Sequence, residues 1–414
     1  MGILQFLRGA VRQVTTGGKA YVLWVAVLLG MIAIGLFGYA KQWRLGLIAT
    51  NMRDQVTWAF YVGNFTFLVG VAAAAVLLVV PGYVYQWKPI KEVVVLGELL
   101  AISALSMCLL FILVDMGRPD RLTHIVPGLG SPNWPSSLLS WDALVLNLYL
   151  IVNLSVVVHI LYRGYRGQPY AKWFVIPMVI FSIPMAVGIH TVTAFLYNGM
   201  AARPYWNASI LAPRFLASAF CSGPAVMIIL FQILRKTTSL EIKDEAIWKV
   251  AELMAYAMFF NLFLLGAEMF KEYYSRTEHL VFTQYLWFGI GEKKALVPYA
   301  WFSLFASVVA FLLFLIPRTR RNWVTLNLGA VLIFAGVYIE KGMGLVIPGM
   351  SPDTLGEIYE YTPTVNEWMV AIGIFGVGGL VFTALVKIAV PIMQGNLRAP
   401  GAAPAEGEPA LATQ

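Results

Sequence analysis

The sequence predicts an all-α, polytopic membrane protein with about ten transmembrane helices, and three observations carry this prediction. Charged residues make up 12% of the 414 residues, against roughly 25% in a soluble domain. Hydrophobic residues make up 59%, and the mean hydropathy is +0.75. Apolar runs of about 20 residues, the length that crosses a bilayer, recur along the chain. Most of the chain is therefore expected to lie in the lipid bilayer. The net charge of +8 needs no nucleic acid, because Lys and Arg are expected in cytoplasmic loops.

The apolar runs divide the chain into ten predicted spans with a flanking segment at each end. The spans are predicted at 19–40, 57–84, 92–114, 138–162, 172–195, 213–234, 246–270, 295–316, 322–345 and 366–392. Residues 19–392 thus form the predicted transmembrane domain. Segment 1–18 is weakly amphipathic, and the Ala-, Pro- and Gly-rich segment 393–414 is typical of a disordered tail.

The distribution of charge predicts the orientation of the chain. Ten spans place both termini on one side of the membrane. If each basic residue is assigned to the nearer loop, more than half of the 29 Lys and Arg lie on that side. Most of the 21 acidic residues lie on the opposite side. Basic loops are typical of the cytoplasm, so we expect both termini to be cytoplasmic and the protein to lie in the cytoplasmic (inner) membrane.

Ionisable side chains lie near the outer ends of six predicted spans. They are Asp115 and Arg118 in "DMGRPDRLTHI", Asp142, His190, Arg214, Glu268, and Glu340 with Lys341. An ionisable group in a membrane helix is costly and persists mainly where it lines a path or a site. Their shared level therefore predicts a common pocket near the outer face.

A weak internal repeat supports this arrangement. The third and seventh spans each carry one acid in the cytoplasmic half, Glu98 or Glu252, and another at the outer end. Overlaying spans two to five on spans six to nine predicts two four-helix bundles in parallel repeat, at 57–195 and 213–345. The first and tenth spans would be peripheral, and parallel repeats of this kind occur in other membrane proteins.

The residues at the outer level suit a lipid-soluble substrate that gains or loses protons, and a quinone is the obvious candidate. Its carbonyl groups need donors such as His, Arg or Lys, and its reduction needs protons from nearby acids. Asp115, Asp142 and His190 are the candidates for this chemistry. Arg118 and Arg214 would orient the acids.

Simpler interpretations of the same residues stay open. Asp115 and Arg118 are spaced to pair as a local brace, Asp142 would interact favourably with the dipole at a helix start, and His190 would hydrogen-bond a neighbouring helix. Trp58 fits either an interfacial belt or a pocket wall. Glu98 and Glu252 are candidates for a proton path, with helix packing as the alternative.

The cysteines and histidines argue against a bound metal or haem. Cys108 and Cys221 each stand alone in an apolar run, and the sequence contains no CxxC motif. Of the four histidines, only His190 lies inside a span near the outer level. We therefore expect no metal site, no iron–sulfur cluster and no intrinsic haem.

Several stretches together resemble one family of membrane subunits. They are "TNMRDQVTWAFYVGNFTFLVGVAAAA", "DMGRPDRLTHI", "PSSLLSWDALVLNLYL", "GIHTVTAFLY" and "YIEKGMGLVIPGMSPDTLGEIYEY". Their pattern is similar to the NrfD/PsrC family, and the resemblance covers residues 18–392. Within the family the chain looks most similar to DsrP-type subunits of the DsrMKJOP complex associated with sulfite reduction. HmcC-type and QrcD-type subunits are the alternatives.

The resemblance implies a function. Family members interact with quinone without redox cofactors of their own, and exchange electrons between menaquinone and a ferredoxin-like iron–sulfur subunit on the periplasmic face. The chain would then not be catalytic alone. For a DsrP-type subunit the implied partners are an iron–sulfur protein like DsrO, a multihaem cytochrome c like DsrJ, and subunits like DsrM and DsrK.

The family's quinone site lies mainly in the first bundle. On matching positions this implies Trp58, Asn64, Asp115, Arg118, Asp142 and His190. Arg214, Glu268 and Lys341 of the second bundle are added from their position in this sequence alone. Two competing functions are a structural anchor without its own quinone site and a secondary transporter. A transporter would carry charges halfway along its spans, whereas the charges here lie at the ends.

Overall fold

Long apolar helices make up most of the computed structural model, which describes residues 2–73, 75–85, 87–91, 93–126 and 128–400. The α-helices are α1 Gly2–Thr15, α2 Lys19–Leu45, α3 Phe60–Ala73, α4 Val76–Val79, α5 Lys88–Lys91, α6 Val94–Asp115, α7 Leu138–Tyr165, α8 Lys172–Asn198, α9 Leu211–Thr237, α10 Asp244–Ser275, α11 Leu280–Trp287, α12 Val297–Leu315, α13 Pro317–Arg321, α14 Trp323–Lys341, α15 Met343–Met350 and α16 Val365–Met393. Short 3₁₀ helices lie at Gly46–Ala49, Pro119–Ile125 and Pro204–Trp206, and a π-helical turn spans Val80–Val84. Within these ranges there is no β-strand.

Ten helical segments of the described chain are long and apolar enough to cross a membrane. Each coincides with one predicted span, so the predicted all-α polytopic membrane protein is confirmed. Two spans are less regular than predicted. The second continues from α3 through α4 into the π-helical turn at Pro81, which cannot donate a backbone hydrogen bond. The ninth is interrupted at Gly342, between α14 and α15.

The helices between the first and last spans pack as two rings of four. In the first bundle, α3 contacts α6, α6 contacts α7, α7 contacts α8, and α8 returns to α3. In the second bundle, the same closed order runs through α9, α10, α12 and α14. Helix α9 contacts both α3 and α8, so it forms much of the boundary between the bundles. A parallel repeat relating the two bundles stays a prediction.

Helices α2 and α16 pack against each other outside these rings. Gly35 of α2 faces Gly373 of α16, where a Cβ on either glycine would collide with the backbone of the other. The two helices therefore approach closely. Phe111 of α6 contacts Phe375 of α16 at 5.7 Å between ring centroids, which fixes this pair on the first bundle.

The N-terminal helix and residues 397–399 meet at one end of the molecule, called here the terminal face. Phe6 of α1 contacts the rings of Tyr162 and Tyr165 at the end of α7. The Ala399 amide donates to the Tyr165 carbonyl at 2.8 Å. Of the tail predicted to be disordered, residues 401–414 lie outside the described residues, whereas Leu397 and Ala399 pack on the helices.

The opposite end, called the far face, is tied together by loop contacts. The Arg203 guanidinium donates to the Met350 carbonyl at 2.8 Å, and the Trp206 indole donates to the Leu345 carbonyl at 2.9 Å. The Asn51 side-chain amide donates to the Thr362 carbonyl at 3.0 Å. These contacts tie the loops before α3 and α9 to the segment before α16 and to α15, and the predicted site residues other than Glu98 and Glu252 lie towards this face.

Candidate functional site

The first candidate centre is built around Asp142, near the start of α7. Its side chain is fully buried, and its Oδ1 accepts a hydrogen bond from the Thr193 hydroxyl of α8 at 2.6 Å. Its Oδ2 is also buried and has no hydrogen-bond partner among the described residues. An unsatisfied buried carboxylate oxygen costs on the order of 1–3 kcal/mol or more, so this atom is a natural place for a ligand to bind.

An aromatic cluster lies beside Asp142 where the two bundles meet. It consists of Trp58, Tyr197, Trp206 and Phe215. The Tyr197 ring lies 5.5 Å from Trp58, 5.0 Å from Trp206 and 5.9 Å from Phe215. The Tyr197 hydroxyl also forms a hydrogen bond with the Thr66 hydroxyl of α3. The rings provide an apolar wall with one phenolic group in it.

His190 lies one helical turn before Thr193 on α8. Its side chain is buried, and Nδ1 lies 3.1 Å from the Ala186 carbonyl oxygen. Because a carbonyl oxygen can only accept, Nδ1 must donate, and in the neutral imidazole Nε2 is then an acceptor. Nε2 is buried and lacks a hydrogen-bond partner in the described part of the chain.

The second candidate centre is an ion network inside the second bundle. Arg214 of α9 forms ion pairs with Glu268 of α10 and with Glu340 of α14, the latter at 3.0 Å. Asn261 of α10 donates to the other oxygen of Glu340 at 3.1 Å. Lys341 is buried, with Nζ 3.9 Å from Glu340. Two cations thus balance two carboxylates, which is the condition under which buried charges persist.

Phe215 connects the two centres. Its ring belongs to the aromatic cluster, and Lys341 Nζ lies 4.7 Å from its centroid in a cation–π contact. The residues predicted to share a single pocket are therefore divided between two centres. Asp142 and His190 lie in the first bundle, and Arg214, Glu268 and Lys341 lie in the second.

Asp115 lies at the end of α6, towards α16. Its Oδ1 is buried without a hydrogen-bond partner in the described ranges, and its carboxyl interacts electrostatically with Glu367 of α16. Glu367 is fully buried and accepts from the Asn51 amide at 3.0 Å, from the Thr364 amide and hydroxyl, each at 2.9 Å, and from Tyr361. Sequence reasoning missed Glu367. The signal was the capping-box pattern "TVNE" at the start of the last span.

Arg118 lies outside the membrane-spanning helices and is exposed. It forms an ion pair with Asp120 at 2.8 Å, and its guanidinium lowers the pKa of that carboxyl. The local brace therefore joins Arg118 to Asp120, and not to Asp115. Next to it lies a cavity of about 320 Å³ between the end of α2 and residues 116–120.

The remaining predicted residues have defined partners. Asn64 accepts from the Tyr338 hydroxyl of α14 at 2.8 Å and thereby joins the two bundles. Glu98 is buried, with the Tyr83 hydroxyl 3.5 Å away. Glu252 pairs with Lys249 at 3.1 Å and with Arg320 at 3.5 Å near the other end of α10.

Metal ligation finds no support in the described ranges, which contain no group of three or more His, Cys, Asp or Glu side chains arranged to hold an ion. Cys108 and Cys221 are buried free thiols. Thr193, Tyr197 and Thr66 were not singled out from the sequence. The spacing of His190, Thr193 and Tyr197, which puts them on one face of α8, was the available signal.

Comparison with known proteins gives consistent matches. A family model described as "Polysulphide reductase, NrfD" matches residues 49–350. A putative membrane subunit of a dimethyl sulfoxide reductase of Halobacterium salinarum is 25% identical over 87% of this chain and 89% of its own length. An Hdr-like menaquinol oxidoreductase integral membrane subunit of Archaeoglobus fulgidus is 22% identical over 89% of this chain and 93% of its own length. A menaquinone reductase integral membrane subunit of Nitratidesulfovibrio vulgaris is 20% identical over 88% of this chain and 90% of its own length.

Proposed function

The chain belongs to the NrfD family of membrane subunits, and from this premise we propose that it is the quinone-interacting subunit of a respiratory redox complex. It would exchange electrons between menaquinone or menaquinol and a periplasmic iron–sulfur subunit. The names of two relatives, a menaquinol oxidoreductase subunit and a menaquinone reductase subunit, support this ligand class. The chain itself would hold the quinone, and its partners would hold the metal cofactors.

The observation that carries the proposal is a pair of unpartnered polar atoms beside an apolar wall. Asp142 Oδ2 and His190 Nε2 are both buried and lack hydrogen-bond partners among the described residues. The aromatic cluster lies near Asp142, because Tyr197 follows Thr193 by one turn of α8 and interacts electrostatically with Asp142. A quinone ring needs an apolar surface for its faces and polar groups for its oxygens. Ionised Asp142 Oδ2 and neutral His190 Nε2 are both acceptors, so the residues present fit the hydroxyl groups of a quinol, and protonated Asp142 can donate to a carbonyl oxygen of the quinone.

Each residue of the first centre has a defined role in this proposal. The bound quinone supplies the two-electron, two-proton chemistry. Asp142 gives or takes a proton at Oδ2, while Thr193 holds its Oδ1 in place. His190 accepts a hydrogen bond at Nε2, and the Ala186 carbonyl fixes its ring orientation through Nδ1. Trp58 and Tyr197 form the wall of the site.

Proton transfer to the other side of the membrane is a further part of the proposal. Asp115 is a second acid near the far face, with a buried and unpartnered Oδ1 among the described residues. Glu98 is the better candidate for a path inward, because it is buried and close to the Tyr83 hydroxyl. Glu252 is held by Lys249 and Arg320, which stabilises its charged form.

The proposed location and partners follow from the charge distribution and the resemblance. The protein would lie in the cytoplasmic membrane with its termini in the cytoplasm, so that the far face meets the periplasmic iron–sulfur subunit. In a DsrP-type complex that subunit would be DsrO-like, with a DsrJ-like multihaem cytochrome c and DsrM- and DsrK-like subunits as further partners. Copurification of these subunits would support this assignment over an Hmc- or Qrc-type complex.

The test is quinol-dependent electron transfer in the purified complex carrying Asp142→Asn or His190→Gln. Loss of a positioned acid or base typically lowers a rate by about 10²–10⁴-fold. Asp120→Asn, which removes an exposed carboxylate, and Thr191→Val, next to His190 on α8, are the matched controls. Wild-type rates in both site variants would contradict the quinone site and favour the alternative, a structural anchor for a redox subunit.

A further inference from the structure

An apolar crevice opens on the outer surface of the second bundle, away from Asp142 and His190. It lies between α10, α11 and α12 and has a volume of about 170 Å³. Its walls include Leu265 and Gly266 of α10, Trp287 of α11, and Trp301 and Leu304 of α12. The Trp301 indole donates to the Trp287 carbonyl at 2.9 Å, which holds the two aromatic walls together. Both flanking helices cross the membrane, so the crevice faces lipid.

The inner end of the crevice adjoins the ion network. A second, smaller cavity shares Leu265, Trp287 and Leu304 with the crevice. Its other walls combine apolar side chains, such as Leu286 and Ile339, with a polar set: Tyr205, Arg214, Glu268, Thr283, Ser303, Ser307 and Glu340. The crevice and the buried polar groups are therefore neighbours that are separated by these shared side chains.

Two polar atoms at this inner end are unsatisfied. Ser307 Oγ and Arg214 Nε are buried without a hydrogen-bond partner in the described chain. Ser303, one turn earlier on α12, donates to the Gly336 carbonyl and so is already satisfied. A buried hydroxyl without a partner is costly, and Ser307 lines the cavity. The site therefore offers a donor to an oxygen atom that arrives from the crevice.

The charge balance of the network selects the ligand. Arg214 is already paired with two carboxylates, and with Lys341 the four charges sum to zero. An anionic phosphate headgroup would upset this balance and would be repelled by Glu268 and Glu340. A neutral ring that carries carbonyl or hydroxyl oxygens fits better, because either oxygen can accept from Ser307 and a hydroxyl can also donate to Glu268. Glu268 is the most exposed of the paired groups, at 15%.

We propose that this crevice is a second binding site for the ring of a quinone or quinol, which enters from the bilayer and places one oxygen near Ser307 and Glu268. The choice of ligand class rests on the proposed function. The site itself is built by α10, α11 and α12 and shares no helix with Asp142 or His190. The chain thus has two places for the same lipid-soluble molecule, one in each bundle.

The experiment uses a photoreactive azido-naphthoquinone on the assembled complex in phosphatidylcholine nanodiscs, with labelled peptides mapped by mass spectrometry. We expect labels within residues 262–269 and 301–304. Gly266→Leu should reduce them about tenfold, because its side chain fills the crevice. A Cβ at Gly266 meets no atom within 4 Å, so the helix accepts the substitution. Gly30→Leu is the matched control, since Gly30 is also an exposed glycine of a membrane span with open space at its Cβ.

Two further variants separate the two sites. Ser307→Ala should weaken crevice labelling several-fold, because it removes the donor to the ligand oxygen. Asp142→Asn should leave crevice labelling unchanged, even where it abolishes quinol-dependent electron transfer. If Asp142→Asn does not lower quinol-dependent electron transfer, the proposed function fails but the crevice site is unaffected. Absence of label from the crevice, or equal labelling in Gly266→Leu and wild type, would overturn the proposal. Displacement of the label by excess cardiolipin would also overturn it in favour of a lipid site.

Discussion

The two bundles bury ionisable groups at the same end of the molecule, but the groups differ in how far they are paired with opposite charges. In the first bundle, Asp142 and His190 each keep one polar atom without a partner in the described structure. In the second, Arg214, Glu268 and Glu340 are joined in ion pairs, with Asn261 as a further donor, although Arg214 Nε and Lys341 Nζ have no hydrogen-bond partner in the described structure. Unsatisfied groups cost stability and persist where a ligand completes them, whereas paired charges stabilise one another. The comparison separates a centre prepared for chemistry from a centre that also supports the fold.

The largest expected effect comes from breaking the ion network. Arg214→Met would leave Glu268 and Glu340 buried without their shared cation, and removal of one partner of a buried pair costs about 3–5 kcal/mol. We expect a marked loss of thermal stability of the purified complex, measured by scanning fluorimetry. Arg118→Met, which breaks an exposed ion pair, should change stability little, because solvent screens such pairs. Equal effects of the two variants would contradict the structural role of the network.

The next effect concerns Thr193, which holds Asp142. Thr193→Val keeps the shape of the side chain but removes the hydroxyl that donates to Asp142 Oδ1. We expect quinol-dependent electron transfer to fall by about tenfold, less than in Asp142→Asn, because the carboxyl stays but loses its fixed orientation. Thr193→Ser should restore most of the rate, since it returns the hydroxyl. A Thr193→Ser rate as low as that of Thr193→Val would point to packing instead.

A smaller effect tests whether the two centres act independently. Phe215 contacts Tyr197 in one centre and Lys341 in the other. Double-mutant cycles between Tyr197→Leu, which removes the ring, and Lys341→Met should give a coupling of about 0.5 kcal/mol or more in stability, which Phe215→Leu reduces. Strict additivity with Phe215 intact would show that the ring does not connect the centres.

The ten spans could be predicted because their length and hydropathy are properties of the sequence alone. The interruption at Gly342 could not, because a run of apolar residues looks the same whether one helix or two pass through it. The depth of each ionisable group was also readable, since it follows from its distance to the span end. The depth of a residue along its span does not say which neighbouring helix its side chain faces. For this reason the sequence grouped Arg214 and Glu268 with Asp142, whereas the structure pairs Arg214 with Glu268 in the other bundle.

Glu367 is a second residue whose environment the sequence alone did not predict. Its capping-box pattern was visible, but its burial depends on the approach of Asn51 and Tyr361 from the loops. Thr193 and Tyr197 likewise gain their meaning only from Asp142 and Thr66 on other helices. Partners far apart in sequence decide which polar residues are satisfied, and a single sequence does not specify them.

The most direct test of the quinone site is a single-turnover measurement on the assembled complex. A pulse of menaquinol analogue is mixed with oxidised complex, and reduction of the iron–sulfur partner is followed by its absorbance. With Asp142→Asn we expect reduction to slow by at least about 10²-fold, while Asp120→Asn keeps the wild-type rate. Wild-type kinetics in Asp142→Asn would contradict the assignment of the first bundle as the site of quinone chemistry.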